Sequence, residues 1–424
     1  MQKKRKFYFL LLLLFSFGLQ SQTKVKTMFY NVLNYDGGLE SNNRTIHLKN
    51  ILDNVAPDLF LVCELKDEIG SNYLFNNAVL PHNNNFKKAP FLISENNPTL
   101  LQMAYYNSEK LILENTEAIQ TSLRDINHYT FKLKTENLDS NPIYLEVFVT
   151  HLKASRGVSN RLRRLSSVED FINQLSRIPS DRHILFAGDF NFYTSNEEGF
   201  QKLIDNVHPI NIVDPINRPC PTFPNDNRDY FDEDYDSTYF WNNSSFADVH
   251  SQSTRSTGLT DGAGGGMDDR FDFIMMSENF NTSSNLYYKQ GSYKAIGNNG
   301  NCYNSSVNDT DCTGDYSLAL REALYQFSDH LPIVMEMESP ENTLSIDNDY
   351  QPFSFLGTNI SRDVLFLNLK EKINHLKIYN QLGQIVFQQQ EIGPKKIRID
   401  INKYSKGVYY IKIDTFKILK FLKI

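Results

Sequence analysis

Residues 184–191 read Ile184-Leu185-Phe186-Ala187-Gly188-Asp189-Phe190-Asn191. A short apolar run that stops at a carboxylate reads as a buried strand with a polar end. A charge in that position is costly unless it is paired or binds a metal. The neighbouring sequence repeats the pattern. Upstream, residues 144–151 alternate with period two and end at His151. Residues 58–64 (Asp58-Leu59-Phe60-Leu61-Val62-Cys63-Glu64) form another strand-type run ending in an acid, and 25–33 form a third apolar stretch. Downstream, 271–276 and 331–337 are further strand candidates. Between them, Leu162, Leu165, Val168, Phe171, Ile172 and Leu175 in 160–178 fall on one helical face. Ile46, Ile51, Leu52 and Val55 in 45–55 lie near helical spacing. Strands alternating with helices predict an α/β domain.

The chain has 424 residues, 22% of them charged and 40% hydrophobic. That is enough for more than one domain and excludes a multi-span membrane protein and wholesale disorder. The net charge of -7 is unevenly spread: residues 1–22 carry +4 and residues 353–424 carry +8, leaving -19 for 23–352. A domain that acidic does not hold polyanions by bulk charge. If it acts on phosphate esters, a cation must overcome the repulsion locally.

Lys3, Lys4, Arg5 and Lys6 precede an apolar run from Phe7 to about Gly18. This reads as a secretory signal peptide over residues 1–22, with a retained anchor as the alternative. After cleavage no stable membrane span is expected. Export brings an oxidising compartment. A disulfide between Cys302 and Cys312, ten apart in a polar loop, is expected there, with Cys63 and Cys220 unpaired.

The stretches 215–266 and 281–318 are long polar insertions, of the kind that form functional rims or surface. Residues 340–354 read as a linker. Beyond it, alternating segments at 363–368, 374–379, 384–388, 396–402, 407–413 and 417–424 are separated by Asn380, Gly383, Pro394 and Gly407. This is the pattern of a small all-β, immunoglobulin-like sandwich over 355–424.

Asn31, Glu64, His151, Asp189, Asn191, Asp272, Asp329 and His330 all stand at a strand end or start. Glu64, Asp189 and Asp329 suggest a site for a hard cation with oxygen ligands. The histidines add a proton carrier near neutral pH. Carboxylates, a metal and two histidines suit hydrolysis of a phosphodiester.

The motifs Tyr30-Asn31-Val32-Leu33-Asn34, Leu61-Val62-Cys63-Glu64, Thr150-His151-Leu152-Lys153, Gly188-Asp189-Phe190-Asn191, Arg270-Phe271-Asp272 and Ser328-Asp329-His330 occur in this order. Together they resemble the endonuclease/exonuclease/phosphatase superfamily, the DNase I-like fold, over roughly 25–338. Thr238-Tyr239-Phe240-Trp241 resembles an aromatic element upstream of the Arg-x-Asp motif in nuclease members. The resemblance implies a four-layer α/β/β/α sandwich over 23–339 with the site at one rim. It implies Glu64 as principal Mg²⁺ ligand, with Asn31 beside it and Asp329 as a further or water-mediated ligand; Mn²⁺ and Ca²⁺ are alternatives. It implies His330 as general base oriented by Asp272, His151 at the scissile phosphate, and Asp189 and Asn191 positioning phosphate and nucleophile. Members differ over whether the first aspartate or the last histidine takes the water proton, and both stay open here. The pancreatic enzymes pair the first histidine with a glutamate on an earlier strand; Thr99-Leu100-Leu101-Gln102-Met103 offers no carboxylate.

The C-terminal segment resembles a type IX secretion sorting domain through Lys377-Ile378-Tyr379-Asn380-Gln381-Leu382-Gly383 and Lys406-Gly407-Val408-Tyr409-Tyr410. The expectation is therefore a secreted or surface-located, monomeric, metal-dependent phosphodiesterase, with nucleic acid as substrate and the type IX machinery as partner. A phosphomonoesterase or sphingomyelinase-like enzyme is the rival. A surface binding protein without chemistry is the third reading.

Several residues receive plainer readings. Asp268 and Asp269 read as a solvated turn or ion pair. The run 262–266, with no Gly-Lys-Ser/Thr after it, reads as a loop hinge. Arg161, Arg163 and Arg164 read as a solvated helix face. Lys153 and Arg156 read equally as substrate contacts or surface. Tyr239 and Trp241 read equally as a pocket wall or packing. The acidic-aromatic stretch 226–241 lacks the spacing of a Ca²⁺ loop.

Overall fold

The apolar runs pair into two sheets that face each other. A computed structural model describes residues 22–94, 96–223, 236–344, 353–356, 359–414 and 419–424. Residues 1–21 of the expected signal peptide (1–22), residues 226–235 of the acidic loop and much of the expected 340–354 linker lie outside these. The chain divides between residues 345 and 346 into two compact units.

The strands of the first unit are β1 (Gln22–Tyr35), β2 (Leu59–Leu65), β3 (Phe86–Lys88), β4 (Leu101–Asn107), β5 (Leu111–Ile119), β6 (Ile126–Leu133) and β7 (Tyr144–His151). They continue with β8 (His183–Asp189), β9 (Ile212–Val213), β10 (Asp272–Ser277), β11 (Tyr287–Tyr288), β12 (Lys294–Ala295) and β13 (Ile333–Asn342). Among the described residues one sheet runs β11-β13-β1-β2-β4-β3, with β12 also on β13. The other runs β5-β6-β7-β8-β10-β9.

The period-two alternation of β7 decides the layering. Val147 and Val149 enter a core shared with Leu61 of β2, Met28 of β1 and Leu52 of the helix Leu39–Val55, while Phe148 enters a second core. In that second core Phe171 of the helix Val158–Leu175 stacks on Phe186 of β8 at 3.9 Å between ring centroids. Leu320, Leu324 and Phe327 of the helix Leu318–Phe327 join the first core. Helices therefore cover the outer face of each sheet, which is an α/β/β/α sandwich. Each fully buried aromatic or aliphatic side chain contributes about 1.5–3 kcal/mol to holding the layers together.

The helix Val158–Leu175 buries Val168, Phe171 and Leu175 of the expected face, but its first turns depart from it. Leu162 is 53% exposed, whereas Arg161 and Arg164 are buried. Arg164 donates through Nε to Glu197 (2.8 Å) and through Nη1 to the carbonyls of Lys153 (2.7 Å) and Ser155 (2.9 Å). The solvated-face reading is thus corrected for Arg161 and Arg164; the fork of Arg164 pins the loop that follows His151. Trp241 is fully buried, in the second core, and is packing rather than a pocket wall. Cys302 and Cys312 are disulfide-bonded, and Cys63 and Cys220 are free and buried.

The second unit contains β14 (Phe353–Phe355), β15 (Ile360–Ser361), β16 (Val364–Leu369), β17 (Ile373–Tyr379), β18 (Ile385–Ile392), β19 (Lys395–Asp400), β20 (Gly407–Ile413) and β21 (Leu419–Lys423). They form the sheets β14-β16-β19 and β15-β21-β20-β17-β18. Leu365, Leu367 and Ile399 from one sheet share a core with Ile378, Ile411 and Phe421 from the other, giving an all-β sandwich.

His183, at the start of β8, makes the stability of the first unit pH-dependent. Its ring is 3% exposed, lies 4.8 Å from that of Phe280, and burial pulls its pKa down to about 4. In the unfolded chain it titrates near 6.5. The stabilisation is thus complete above pH 6.5 and is lost as pH falls through that value toward 4. At pH 5 the loss is expected to be about 2 kcal/mol. Urea unfolding at pH 7.5 and pH 5 should show a smaller acid loss in His183→Gln than in wild type. Equal losses would rule this out.

Candidate active site

The site forms where the ends of β1, β2, β7 and β8 meet the starts of β10 and β13. Parallel β1 and β2 keep register up to Asn31 opposite Cys63 and then slip. At the slip Leu33, Asn34 and Glu64 take positive φ of 50°, 49° and 63°. Left-handed backbone at non-glycine residues costs of the order of 1–3 kcal/mol each and clusters at functional sites. Here it turns Glu64 into the space beneath β7 and β8. Asn34 N–H donates to Glu64 Oε2 at 3.0 Å.

Asn31 is the hub. Its Nδ2 donates to Glu64 Oε1 (2.9 Å) and Asp189 Oδ2 (3.1 Å) and lies 3.3 Å from His330 Nε2. Its Oδ1 accepts from Leu33 N–H at 3.0 Å. Glu64, His151 and Asp189 bring one donor atom each within 4.8 Å of the others; so do Asp189, Asp272 and His330. His151 Nε2 lies 3.8 Å from Glu64 Oε1 and 3.6 Å from Asp189 Oδ2. Asp272 is fully buried. Its Oδ2 accepts from His330 Nδ1 at 2.8 Å and from Ser251 Oγ at 2.6 Å. Asn191, at φ 53°, donates its backbone N–H to Asp189 Oδ1 (3.2 Å) and its Nδ2 to the Leu152 carbonyl (3.4 Å). Asp329 stands apart from the two triads. Its Oδ2 accepts from Ala263 N–H (2.7 Å) and Gln252 Nε2 (3.1 Å).

Burial and crowding set the electrostatics. Asp189 is pushed up to about 8 by burial and by the Asp272 and Glu64 carboxylates, against the pull of His330. Burial also raises Glu64. Burial pulls His330 down, but Asp272, Asp329 and Asp189 outweigh it and hold the ring well above its ordinary value. Burial drives His151 well below its ordinary value, helped by Arg124, His330 and Lys153. Asp269 is pushed up to about 7 and Asp268 to about 6 by burial, against the pull of Arg156; both are half-buried rather than fully solvated.

The donor set suits a divalent cation. Asp272 Oδ1 and Asp329 Oδ1 are buried without a hydrogen-bond partner among the described residues. An anionic oxygen in that state requires a counter-charge. Glu64, Asp189, Asp272 and Asp329 supply several oxygens of the type Mg²⁺ and Ca²⁺ prefer.

Four contributors carry no sequence signal of their own. Gln252 and Ala263 lie in the long polar insertion, where no strand or helix period marks them. Far from acting as a free hinge, the glycine run places Ala263 N–H on Asp329. Ser251 belongs to the same segment. Arg124 follows β5, with Nη1 donating to the carbonyls of His151 (3.2 Å) and Leu152 (2.8 Å). No carboxylate meets His151 Nδ1, which is buried without a partner among the described residues.

Residues 359–424 match the family model described as a secretion system C-terminal sorting domain. The chain thus carries a type IX sorting domain, which marks it for secretion to the cell surface or the extracellular space. Among the described residues no helix is long and apolar enough to cross a membrane. Similar solved structures include humanized D. rerio TDP2, at 15% identity over 74% of this chain and 98% of that one, with a TM-score of 0.44. The human Nocturnin catalytic domain matches at 14% identity over 74% and 97%, with a TM-score of 0.43. An endonuclease/exonuclease/phosphatase from Bacteroides vulgatus matches at 13% identity over 75% and 99%, with a TM-score of 0.46. No curated protein matches the sequence.

Proposed function

We propose that the first unit is a secreted, metal-dependent phosphodiesterase that hydrolyses nucleic acid. The observation that carries this reading is the convergence of Glu64, His151, Asp189, Asp272 and His330 into two overlapping triads, beside buried carboxylate oxygens that lack a partner. The ordered motifs of the sequence support it.

In this reading Glu64 and Asp329, with Asn31 beside them, hold the cation, with Mg²⁺ the first choice and Mn²⁺ or Ca²⁺ alternatives. The ion supplies charge stabilisation on the phosphate and the leaving oxygen. The protein's own groups do the rest. Asp272 accepts from His330 Nδ1, which turns Nε2 into the site, where it takes the proton of the attacking water. Ser251 fixes the Asp272 carboxylate. His151, uncharged because it is buried, donates a hydrogen bond to the scissile phosphate. Asp189 and Asn191 position phosphate and water. Between Asp189 and His330 as base, the orienting carboxylate behind the imidazole favours His330.

The test uses the purified secreted chain with plasmid DNA, RNA, a small phosphodiester and sphingomyelin, each with Mg²⁺ and with chelator. Chelator-sensitive nicking of plasmid is the expected result. Turnover of lipid or small ester alone would move the same residues to the rival substrate. No turnover with any metal would leave a binding module.

A further inference from the structure

We propose that the second unit binds nucleic acid on the outer face of its five-stranded sheet and so tethers the polymer for the acidic first unit; the identity of the polymer rests on the phosphodiesterase reading above. The charge balance opens the argument. Residues 23–352 carry -19 and repel a polyanion, whereas residues 353–424 carry 13 Lys/Arg against 5 Asp/Glu, or +8. Long-range attraction for a phosphate backbone is thus a property of the second unit.

The sheet concentrates that charge. Leu376 and Ile378 of β17 and Ile411 of β20 enter the core, so Lys377, Tyr379, Tyr410 and Lys412 stand on the opposite face. Register sets them in two rows. Lys412 faces Lys377, which faces Gln388. In the next row Lys420 faces Tyr410, which faces Tyr379. A groove of about 700 Å³ lies on this face, with Lys372, Lys377, Lys412 and Tyr379 in its lining. Two carboxylates, Glu371 and Asp414, line it as well. Asp414 is already engaged: its Oδ2 accepts from Asn374 N–H (2.9 Å) and its Oδ1 from His375 N–H (2.6 Å). Among the described residues Lys377, Lys412 and Lys420 form no ion pair.

Two features of this face cost the fold and serve a ligand. Like charges directly opposite on antiparallel strands destabilise a sheet, and Lys377 and Lys412 are such a pair. A phosphate bound between them removes the repulsion. Tyr410 remains 41% exposed. Bases stack on rings of this kind while lysines follow the backbone, with no need for a particular sequence. A sulfated glycan offers charge to the lysines but no aromatic plane to the tyrosines. A tether on the same chain raises the local concentration of a long substrate, and a substrate too short to reach both units gains nothing from it.

The test uses the full chain in chelator, where no turnover competes. The probes are a fluorescent single-stranded oligonucleotide and dextran sulfate, a polyanion without bases. Wild type is compared with the double variant Lys377→Gln with Lys412→Gln and with Tyr410→Ser, and each thermal midpoint is read alongside. Loss of two phosphate contacts is expected to reduce the slope of log K against log salt by about 1.4. Tyr410→Ser is expected to weaken the oligonucleotide by about 5- to 150-fold, the value of one stacked base, and to leave dextran sulfate unchanged. With metal, the double variant should raise KM on denatured plasmid while kcat and the turnover of a small phosphodiester stay the same. Unchanged affinity and slope in both variants overturn the proposal. So does a loss of affinity that comes only with a lower midpoint, and so does dextran sulfate bound as tightly as the oligonucleotide, which marks a glycan surface. A secreted protein whose intact mass lacks residues 346–424 overturns the tether outright. Turnover without oligonucleotide binding defeats the tether and leaves the phosphodiesterase reading standing; binding without any turnover does the reverse.

Discussion

His330→Ala is expected to lower kcat on the physiological phosphodiester by about a thousandfold to ten-thousandfold, the upper part of what a positioned general base contributes. The imidazole has a carboxylate behind it, Asp272 at 2.8 Å from Nδ1, and its Nε2 lies 3.7 Å from Asp189 Oδ2. KM should change little, because the proposed phosphate contacts, His151, Asp189 and Asn191, are left in place. Asp272 would retain Ser251 as a donor but lose its charged partner, so some loss of stability is also expected. His330→Gln separates the two effects. It can still donate to Asp272 but cannot serve as base, and should recover stability without recovering rate. A kcat for His330→Ala within tenfold of wild type would transfer the base role to Asp189.

The largest effect on folding is expected at Asp214. Arg270, only 1% exposed, donates through Nη1 and Nη2 to the two oxygens of Asp214, both at 2.9 Å. Its guanidinium lies 4.3 Å from the ring centroid of Phe273 and 5.3 Å from that of Trp241. The paired geometry is what makes a charge tolerable in that aromatic core. Removing one partner of a buried pair costs about 3–5 kcal/mol, because the other charge is left uncompensated. Against a typical total of about 5–15 kcal/mol, that is a large share. Asp214→Ala should therefore lower the urea midpoint sharply. The double variant Asp214→Leu with Arg270→Met, which removes both charges, should be markedly more stable than the single one. A loss below about 1 kcal/mol in Asp214→Ala would contradict the account.

What the sequence made legible follows the physics of each residue. The strands that flank the site, β1, β2, β7, β8, β10 and β13, are apolar because both of their faces are covered, and their polar ends stand out for the same reason. Glu64, His151, Asp189, Asp272 and His330 could thus be named together. Strands β5 and β6 could not be read in the same way. β5 has a half-exposed face and lacks an apolar run. The burial of Arg164 was illegible because its partners, Glu197 and two carbonyls, are assembled only by the fold. Gln252 was illegible for a similar reason. Its segment bonds to residues near 269 and 330 through isolated bridges, which leave no periodicity in the chain. The departure at His151 was legible in advance, since residues 99–103, which lead into β4, offer no carboxylate.

The disulfide between Cys302 and Cys312 closes a loop that braces this segment. Asn304 N–H donates to the Met267 carbonyl, Met267 N–H to the Ser305 carbonyl, and Val307 N–H to the Thr254 carbonyl. Gly266 sits so close to Asn304 that no side chain fits there. The braced segment is the one that delivers Ala263 and Gln252 to Asp329 and His330. Cytosolic thiols stay reduced, and the bond forms only in an oxidising compartment. A chain addressed for secretion therefore gains the final stitch beneath its site after it has left the cytosol. If the substrate is the nucleic acid proposed above, that order of events is a form of self-immunity.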